Sequence, residues 1–282
     1  MNATSLWGDR PGRHASLWGN RPGCQCAPYS SPARASSPPR AFTLIELLVV
    51  IGIIGLLAAL LTPVVMRSLA SARNAAIKAE IDMLHMALMN YQSEYGVLPP
   101  CIDTIFPTAG EYTNGGQAAK HLKRLFPRCA EPAKQLNDVN RPNSGPIALT
   151  PINALPAWLS GFTNNPLSPL VPGSDRTKLY DFDKSRISAS NASYYPSGKS
   201  GSPYIYFDSN SYGTLGAPTS FSDGTNTYVV QIQILADGSP PEVFNPGRFQ
   251  ILCAGRDEQW GTDDDMSNFW PGTRKEYSES KK

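Results

Sequence analysis

Residues 42–65 form an apolar segment that constrains the chain more than any other feature. Its 24 residues carry a single formal charge, Glu46. Because a helix needs about 20 apolar residues to cross the hydrocarbon core of a bilayer, the segment predicts one membrane-spanning helix. Arg34 and Arg40 stand just before it. Since such charges stay on the cytoplasmic side, we expect the N-terminus in the cytoplasm and the rest of the chain exported.

Residues 1–41 differ in composition from the remainder. They are rich in Pro, Ser, Arg and Gly and hold five Arg against one acidic residue, Asp9. With no apolar period, this stretch predicts a leader without a folded core. An ordinary secretory signal fits less well, because its apolar region spans only about 7–15 residues. No basic run continues beyond residue 41, so the composition gives no reason to expect a nucleic-acid partner.

The helical pattern continues beyond the predicted span. Apolar and aromatic residues recur at intervals of four and three, which places them on one helical face: Ile77, Ile81, Leu84, Leu88, Tyr91 and Tyr95. Most polar residues, Glu80 among them, are expected on other faces, and Gly96 supplies a stop signal. The sequence therefore predicts a membrane half over 42–65 and an exported amphipathic half over 66–96.

The remaining residues, 97–282, predict a loop-rich globular head. The chain contains 26 Pro and 23 Gly, which are typical of turns. A short helix is predicted over 118–126, and strands are predicted over 204–207, 227–235 and 249–253. The expected fold class is α+β, with the long N-terminal helix packed on a small antiparallel sheet.

Three of the five cysteines lie in the predicted head: Cys101, Cys129 and Cys253. A Cys101–Cys129 bridge is compatible with an exported domain. Three free buried thiols are equally compatible with the sequence.

Glu46 is the residue with the greatest energetic consequence. A lone charge at the centre of a spanning helix costs about 2.5–3.5 kcal/mol on insertion scales. One interpretation places Glu46 at headgroup level. The other pairs it with a cation, because cleavage just before Phe42 would create an α-amine at nearly the same depth, protonated at neutral pH. The amine of one subunit could then meet Glu46 of its neighbour.

Residues 41–51, Ala-Phe-Thr-Leu-Ile-Glu-Leu-Leu-Val-Val-Ile, resemble the cleavage and methylation motif of type IV pilins and of the pseudopilins of type II secretion. The resemblance extends to Gly52, Gly55 and Pro63. It implies that prepilin peptidase cuts between Ala41 and Phe42 and methylates the new amine. It also implies that Glu46 sets subunit registration and that Pro63 permits a kink. Ala41 departs from the Gly that usually precedes the cut.

The resemblance further implies partners and a location. Such subunits are held in the bacterial inner membrane by a single span, with the head in the periplasm. A secretion or pilus assembly platform draws them out of the lipid into a helical filament. The resemblance implies no nucleic-acid partner.

Residues 249–269 are similar to the C-terminal region of the major pseudopilin of type II secretion, where a strand leads into an acidic loop that binds calcium. This resemblance implies calcium ligands at Asp257, Asp263 and Asp265, with Asp264 as a further candidate. Crowded carboxylates without nearby Lys or Arg favour a cation, and calcium takes 6–8 oxygen ligands. A solvated acidic turn is the alternative.

Together these features predict a structural subunit of a type II secretion pseudopilus. The alternative is a minor or adhesive type IV pilin whose head loops bind a target. An enzyme is not expected, because the chain has no Gly-x-Ser-x-Gly, phosphate-binding-loop or His-Glu-x-x-His motif.

Overall fold

The computed structural model describes most of the chain after the predicted leader: residues 42–103, 114–139, 149–170, 176–196, 201–214, 217–222, 226–233 and 241–281. The leader itself, including Ala41, lies outside these residues. The chain divides into two compact units, Met1–Gly55 and Leu56–Lys282. This boundary differs from the predicted ones near residues 65 and 96, which stay predictions.

The described residues form five α-helices, two short 3₁₀ turns and eleven short strands. The helices are α1 (Leu44–Tyr95), α2 (Gln117–Leu125), α3 (Pro132–Val139), α4 (Ala154–Leu159) and α5 (Arg274–Ser280). The 3₁₀ turns cover Lys184–Arg186 and Ser209–Ser211. The strands are β1 (Phe162–Thr163), β2 (Arg176–Thr177), β3 (Ile205–Asp208), β4 (Gly213–Thr214), β5 (Ala217–Pro218), β6 (Ser220–Ser222), β7 (Thr227–Val229), β8 (Ile232–Gln233), β9 (Glu242–Val243), β10 (Phe249–Cys253) and β11 (Met266–Ser267).

The N-terminal part of α1 presents apolar side chains on every face. Leu44, Leu57 and Leu60 are all more than half exposed. Of the described helices, α1 is the one that is long and apolar enough to cross a membrane, and its most apolar stretch buries nothing in the protein. Such a surface is stable in lipid and unstable in water. The helix therefore fits a single-pass membrane anchor.

The C-terminal part of α1 buries the predicted apolar stripe. Ile81, Leu84, Leu88 and Tyr91 are fully buried, while the two outer members of the stripe are partly buried. The helix ends at Tyr95, and the next residue, Gly96, has a φ of 74°. Glycine adopts this left-handed conformation without steric cost, so the predicted stop is confirmed.

A three-stranded antiparallel sheet packs on this stripe. Its central strand, β10, pairs with β3 on one side and β11 on the other, with Ile251 opposite Tyr206. All residues of the three strands are buried. The ring of Phe249 lies 5.0 Å from that of His85 on α1. The predicted strands over 204–207 and 249–253, and with them the α+β class, are confirmed.

The prediction of one continuous strand over 227–235 is wrong over residues 227–233, and residues 234 and 235 lie outside the described residues. The structure has two short strands there, β7 and β8, which pair with different partners, β6 and β9. Gln231 lies between them. The buried Gln250 amide accepts the N–H of Gln231 at 2.8 Å and donates to its carbonyl at 2.9 Å. A side chain thus takes the place of a neighbouring strand, which periodicity alone does not reveal.

The predicted helix over 118–126 is confirmed as α2, which packs on the C-terminal end of α1. The hydroxyl of Tyr91 lies 2.8 Å from Nε2 of His121. Burial, followed by the nearby positive charge of Arg124, lowers the pKa of His121 to about 4, so this imidazole is neutral at pH 7. Cys101, Cys129 and Cys253 are all buried free thiols.

Glu80 is buried in the head, whereas the sequence predicts that most polar residues of α1 lie on its other faces. Its carboxylate is buried and accepts hydrogen bonds from the hydroxyls of Tyr194 (2.7 Å) and Tyr204 (2.5 Å). Tyr180 donates a longer bond of 3.3 Å, and Arg186 forms an ion pair at 2.5 Å. Burial and the neighbouring carboxylate raise the pKa of Tyr194 and Tyr204, so both hydroxyls remain donors. This network ties Tyr180, Arg186, Tyr194 and Tyr204 to the helix.

We expect Glu80→Gln to destabilise the folded chain by about 2 kcal/mol, because the partly buried Arg186 guanidinium loses its counter-charge. Urea unfolding of the detergent-solubilised chain, followed by tyrosine fluorescence, measures the change. Glu279→Gln, at an exposed carboxylate of α5, is the matched control and should shift stability by less than about 0.5 kcal/mol. Equal stability of the two variants would show that the ion pair does not hold this segment.

Candidate functional site

The first turn of α1 places Glu46 against Thr43. The Thr43 N–H donates to Glu46 Oε2 at 2.9 Å, and the Thr43 hydroxyl donates to the same oxygen at 2.8 Å. In return, the Glu46 N–H donates to the Thr43 hydroxyl oxygen at 3.3 Å. This is a capping box, in which two side chains satisfy backbone N–H groups that the helix leaves unpaired.

The capping box leaves half of the Glu46 carboxylate available. All three bonds use Oε2 or the backbone N–H, and within the described residues Oε1 accepts no hydrogen bond. A shallow groove of about 350 Å³ lies beside it, lined by apolar side chains that include Phe42, Ile45 and Val49. Phe42 itself is 77% exposed. The carboxylate therefore has one oxygen free to meet a group from outside the chain.

The position of Glu46 also matters electrostatically. The start of a helix carries roughly half a positive elementary charge, and an acidic side chain in the first turn stabilises it. Cleavage before Phe42 would add a full positive charge one residue ahead of the cap. Glu46 is the sole acidic residue in the first turn of α1. In the cleaved chain Glu46 would therefore lie near two positive groups of its own chain, the helix N-terminus and the Phe42 amine.

Thr43 is not among the residues predicted for the site, although the sequence contains a pattern that marks it as the start of a helix. The pattern Ser/Thr-x-x-Glu ahead of an apolar run is typical of a helix start, and residues 43–46 match it. The sequence-based expectation pairs Glu46 with the amine of a neighbouring subunit. The structure shows that its first partner is local.

The other predicted residues of the apolar segment lie within α1. An added Cβ at Gly52 or Gly55 would meet nothing within 4 Å, so a neighbouring helix can approach closely there. The helix continues through Pro63. The preceding Thr62 hydroxyl donates to the carbonyl of Ala58 at 2.7 Å. The expected kink at Pro63 stays a prediction.

Asp264 organises the C-terminal acidic loop. Its Oδ2 accepts the backbone N–H groups of Arg256 (2.8 Å) and Asp257 (3.0 Å), and its Oδ1 accepts the Thr262 hydroxyl (2.7 Å). Burial acts to raise the pKa of Asp264, but these donors outweigh it and the pKa is lowered. Asp264 thus serves the loop itself as an acceptor.

Asp265 is buried and only partly satisfied. Its Oδ2 accepts the Gly261 N–H at 2.9 Å and lies 3.7 Å from Arg274, whereas its Oδ1 is buried without a partner. Burial raises the pKa of this carboxyl to about 6. A buried carboxylate oxygen that lacks a donor is costly, and a cation would relieve the cost.

The four predicted calcium ligands share the loop but do not converge. Asp257 and Asp263 are exposed, and Asp257 Oδ1 accepts the Gln259 N–H at 2.8 Å. Across the described residues, no group of three or more His, Cys, Asp or Glu side chains is arranged to hold a metal ion. In this conformation the loop supplies Asp265 Oδ1 alone as a free buried oxygen.

Comparison with protein families gives one match. The model of the prokaryotic N-terminal methylation motif matches residues 37–62, which contain the predicted cut, the capping box and both glycines. No curated protein and no solved structure matches the chain.

This match agrees with the geometry of the first turn and with the single apolar helix. It points to a structural subunit rather than to an enzyme, and it implies processing by prepilin peptidase. A helix whose start is exposed and whose most apolar stretch buries nothing in the protein fits an inner-membrane anchor. The chain therefore carries the prepilin-type N-terminal motif of type IV pilins and pseudopilins.

Proposed function

We propose that the chain is a structural subunit of a type II secretion pseudopilus, assembled from the inner membrane and supporting protein secretion. The observation that carries the proposal is the Glu46 carboxylate at the start of α1, inside the matched motif. One of its oxygens closes the capping box and the other is free. The resemblance of residues 249–269 to the major pseudopilin favours secretion over adhesion.

Proteolysis controls assembly in this proposal. In the precursor, residue 42 is joined to the leader by a neutral amide, so Glu46 lacks a cation from a neighbour. Cutting after Ala41 releases the Phe42 amine, which methylation leaves positively charged. The amine of one subunit then reaches Glu46 Oε1 of the next. Because the contact lies in lipid, pairing removes most of the cost of burying each charge alone.

The motif also restricts the partners. Prepilin peptidase cuts and methylates the chain, and an assembly platform draws it out of the lipid into a filament. The head is placed in the periplasm by the arginines that precede the span. Helix packing through Gly52 and Gly55 brings neighbouring subunits close enough for the charges to meet.

A type IV pilin with a binding head is the second candidate. The long segment between α1 and β3, which contains α2, α3 and α4, favours this candidate. Loss of a secreted substrate on deletion of the gene supports the pseudopilin, whereas loss of surface attachment with normal secretion supports the pilin.

One prediction concerns processing. In cells that contain prepilin peptidase, we expect the membrane form to begin at N-methylated Phe42, and in cells that lack it we expect the leader to be retained. Ala41→Gly should be cut at least as fast, since Gly is smaller. Mass spectrometry of the N-terminal peptide measures both. An intact leader in the presence of active peptidase would overturn the assignment.

Another prediction separates the capping role of Glu46 from its pairing role. Gln at this position keeps the capping box but loses the charge, so Glu46→Gln should abolish filaments. Thr43→Ala weakens the cap by about 1 kcal/mol and keeps the charge, so filaments should persist. Electron microscopy and shearing assays measure filament yield. Normal filaments from Glu46→Gln would refute the pairing.

We further propose that the acidic loop binds calcium, in agreement with its resemblance to the pseudopilin loop. The supporting observation is the unpartnered Asp265 Oδ1. Asp257 and Asp263 would have to turn inward to complete a set of oxygen ligands, which calcium requires.

For this site we expect calcium at 100 times its Kd to stabilise the purified chain by about 2.7 kcal/mol. Asp265→Asn should remove the effect. Thermal unfolding with calcium or with a chelator measures it, and Asp181→Asn, at an exposed carboxylate outside the loop, is the matched control. An unfolding temperature independent of calcium would contradict the site.

A further inference from the structure

A recess of about 470 Å³ opens where the end of α1 meets α2 and the 3₁₀ turn Ser209–Ser211. Its described lining residues come from four segments of the compact unit Leu56–Lys282. Small-molecule sites in proteins usually have volumes of about 300–1,000 Å³. The recess is therefore large enough for a small ligand, and the assembly contact proposed above does not use it.

Two exposed cations line the recess from α2. Lys120 and Arg124 are four residues apart, so they lie on one face of the helix. Neither forms an ion pair with a described residue. The His121 imidazole adds no charge at pH 7, because burial lowers its pKa to about 4. The helix therefore presents two unpaired positive groups to the recess.

The acidic groups at the recess are buried and hydrogen-bonded. Asp208 is the one acid among the described lining residues, and it is 2% exposed. Its Oδ1 accepts the Cys101 N–H at 3.0 Å and the Ser211 hydroxyl at 2.6 Å. Asp103 is 1% exposed and accepts the Gln117 N–H at 2.9 Å. The charge that the lining residues show to solvent is thus positive.

The charged residues next to the lining do not reverse this sign. Glu94 follows the lining residue Gln92 by two positions, which places it about 200° further around α1 and away from the recess. Arg248 follows the lining residue Gly247 and is a further exposed cation.

Polar groups without partners line other parts of the recess. The carboxamides of Gln92 and Asn210 and the hydroxyl of Ser209 form no hydrogen bond within the described residues. A carboxamide both donates and accepts hydrogen bonds, and so does a sugar hydroxyl. Val97 and Leu98 are partly exposed and supply an apolar surface. Such a surface suits the C–H face of a ring, and the polar groups suit its hydroxyls.

We propose that this recess binds an anionic sugar, a hydroxylated ring that bears one carboxylate or phosphate group. The anionic group pairs with Lys120 and Arg124, and a guanidinium binds either anion through two parallel hydrogen bonds. The ring hydroxyls exchange hydrogen bonds with the carboxamides of Gln92 and Asn210. The inference goes beyond the proposed function and does not rest on it, since it gives the head a ligand in a pseudopilus and in a pilus alike.

Lys120 and Arg124 also stand beside the C-terminal end of α1. The last turn of α1 holds no basic residue, and positive charge near the end of a helix stabilises it. That role makes no use of the carboxamides of Gln92 and Asn210. The combination of two cations with unpaired carboxamides and an apolar surface favours a sugar over a simple anion.

Saturation-transfer NMR with the detergent-solubilised full-length chain tests the inference, with D-glucuronate and glucose 6-phosphate as probes. We expect at least one of them to bind with a Kd of about 1 mM, as is typical of ligands with so few atoms. D-glucose lacks the anion and acetate lacks the ring, so each should bind about tenfold more weakly. The comparison of the two probes identifies the anionic group.

Matched variants locate the ligand. Arg124→Gln should weaken binding of the anionic sugar about tenfold, because the anion loses its two-bond partner. Arg128→Gln removes the same charge from an exposed position outside the described lining, and it should leave the Kd within about twofold of the parent.

Asn210→Ala tests recognition of the ring separately. It should weaken the anionic sugar about fivefold and leave acetate unchanged. The substitution keeps the Asn210 N–H, which donates to Asp208 Oδ2 at 3.2 Å. Urea unfolding of every variant separates a loss of binding from a loss of folding.

Each contrary result overturns the inference. Neither probe binding at concentrations well above the expected Kd does so, as does D-glucose binding as tightly as the probes. Acetate or inorganic phosphate binding as tightly as the probes shows a simple anion site at the end of α1. Equal losses from Arg124→Gln and Arg128→Gln place the ligand elsewhere. All of these results leave the pairing at Glu46 intact, because filament yield tests it independently.

Discussion

The apolar stripe of α1 from Ile77 to Tyr95 is the surface on which the described head is built. The sheet shares one buried core with the stripe, and α2 contacts the stripe through His121 and Phe126. Burying one Ile or Leu side chain contributes about 1.5–3 kcal/mol, so several such residues provide the driving force for packing. The many short strands and turns of the head would have little reason to order without this common surface.

Two glutamates on the same helix show how surroundings decide the role of one side chain. Glu80 is enclosed by three tyrosine hydroxyls and one guanidinium, so its contacts all lie within the head and stabilise the fold. Glu46 is bound only by its own turn and retains a free oxygen. The first acts within the folded head. The second is suited to a contact that forms when another subunit arrives.

In the proposed assembly, the pairing of Glu46 with an amine would fix the level of one helix against the next in lipid, where charges are costly. Exposed ion pairs on the head act in water, where each contributes little. The contact at Glu46 would therefore contribute more to subunit registration than a single exposed ion pair between heads.

The sequence by itself determined the apolar segment, the motif, the stripe on α1 and its stop at Gly96, because these features are local and periodic. It also located α2 and the strands over 204–207 and 249–253. Only the tertiary structure decided that Glu80 is buried, since its partners lie about 100 or more residues away in the chain. The same holds for the break between β7 and β8, which a distant Gln250 side chain fills. It also showed that the crowded Asp side chains of the C-terminal loop do not converge. Spacing along the chain reports which residues share a face, whereas hydrogen-bond partners and ligand sets depend on segments that only folding brings together.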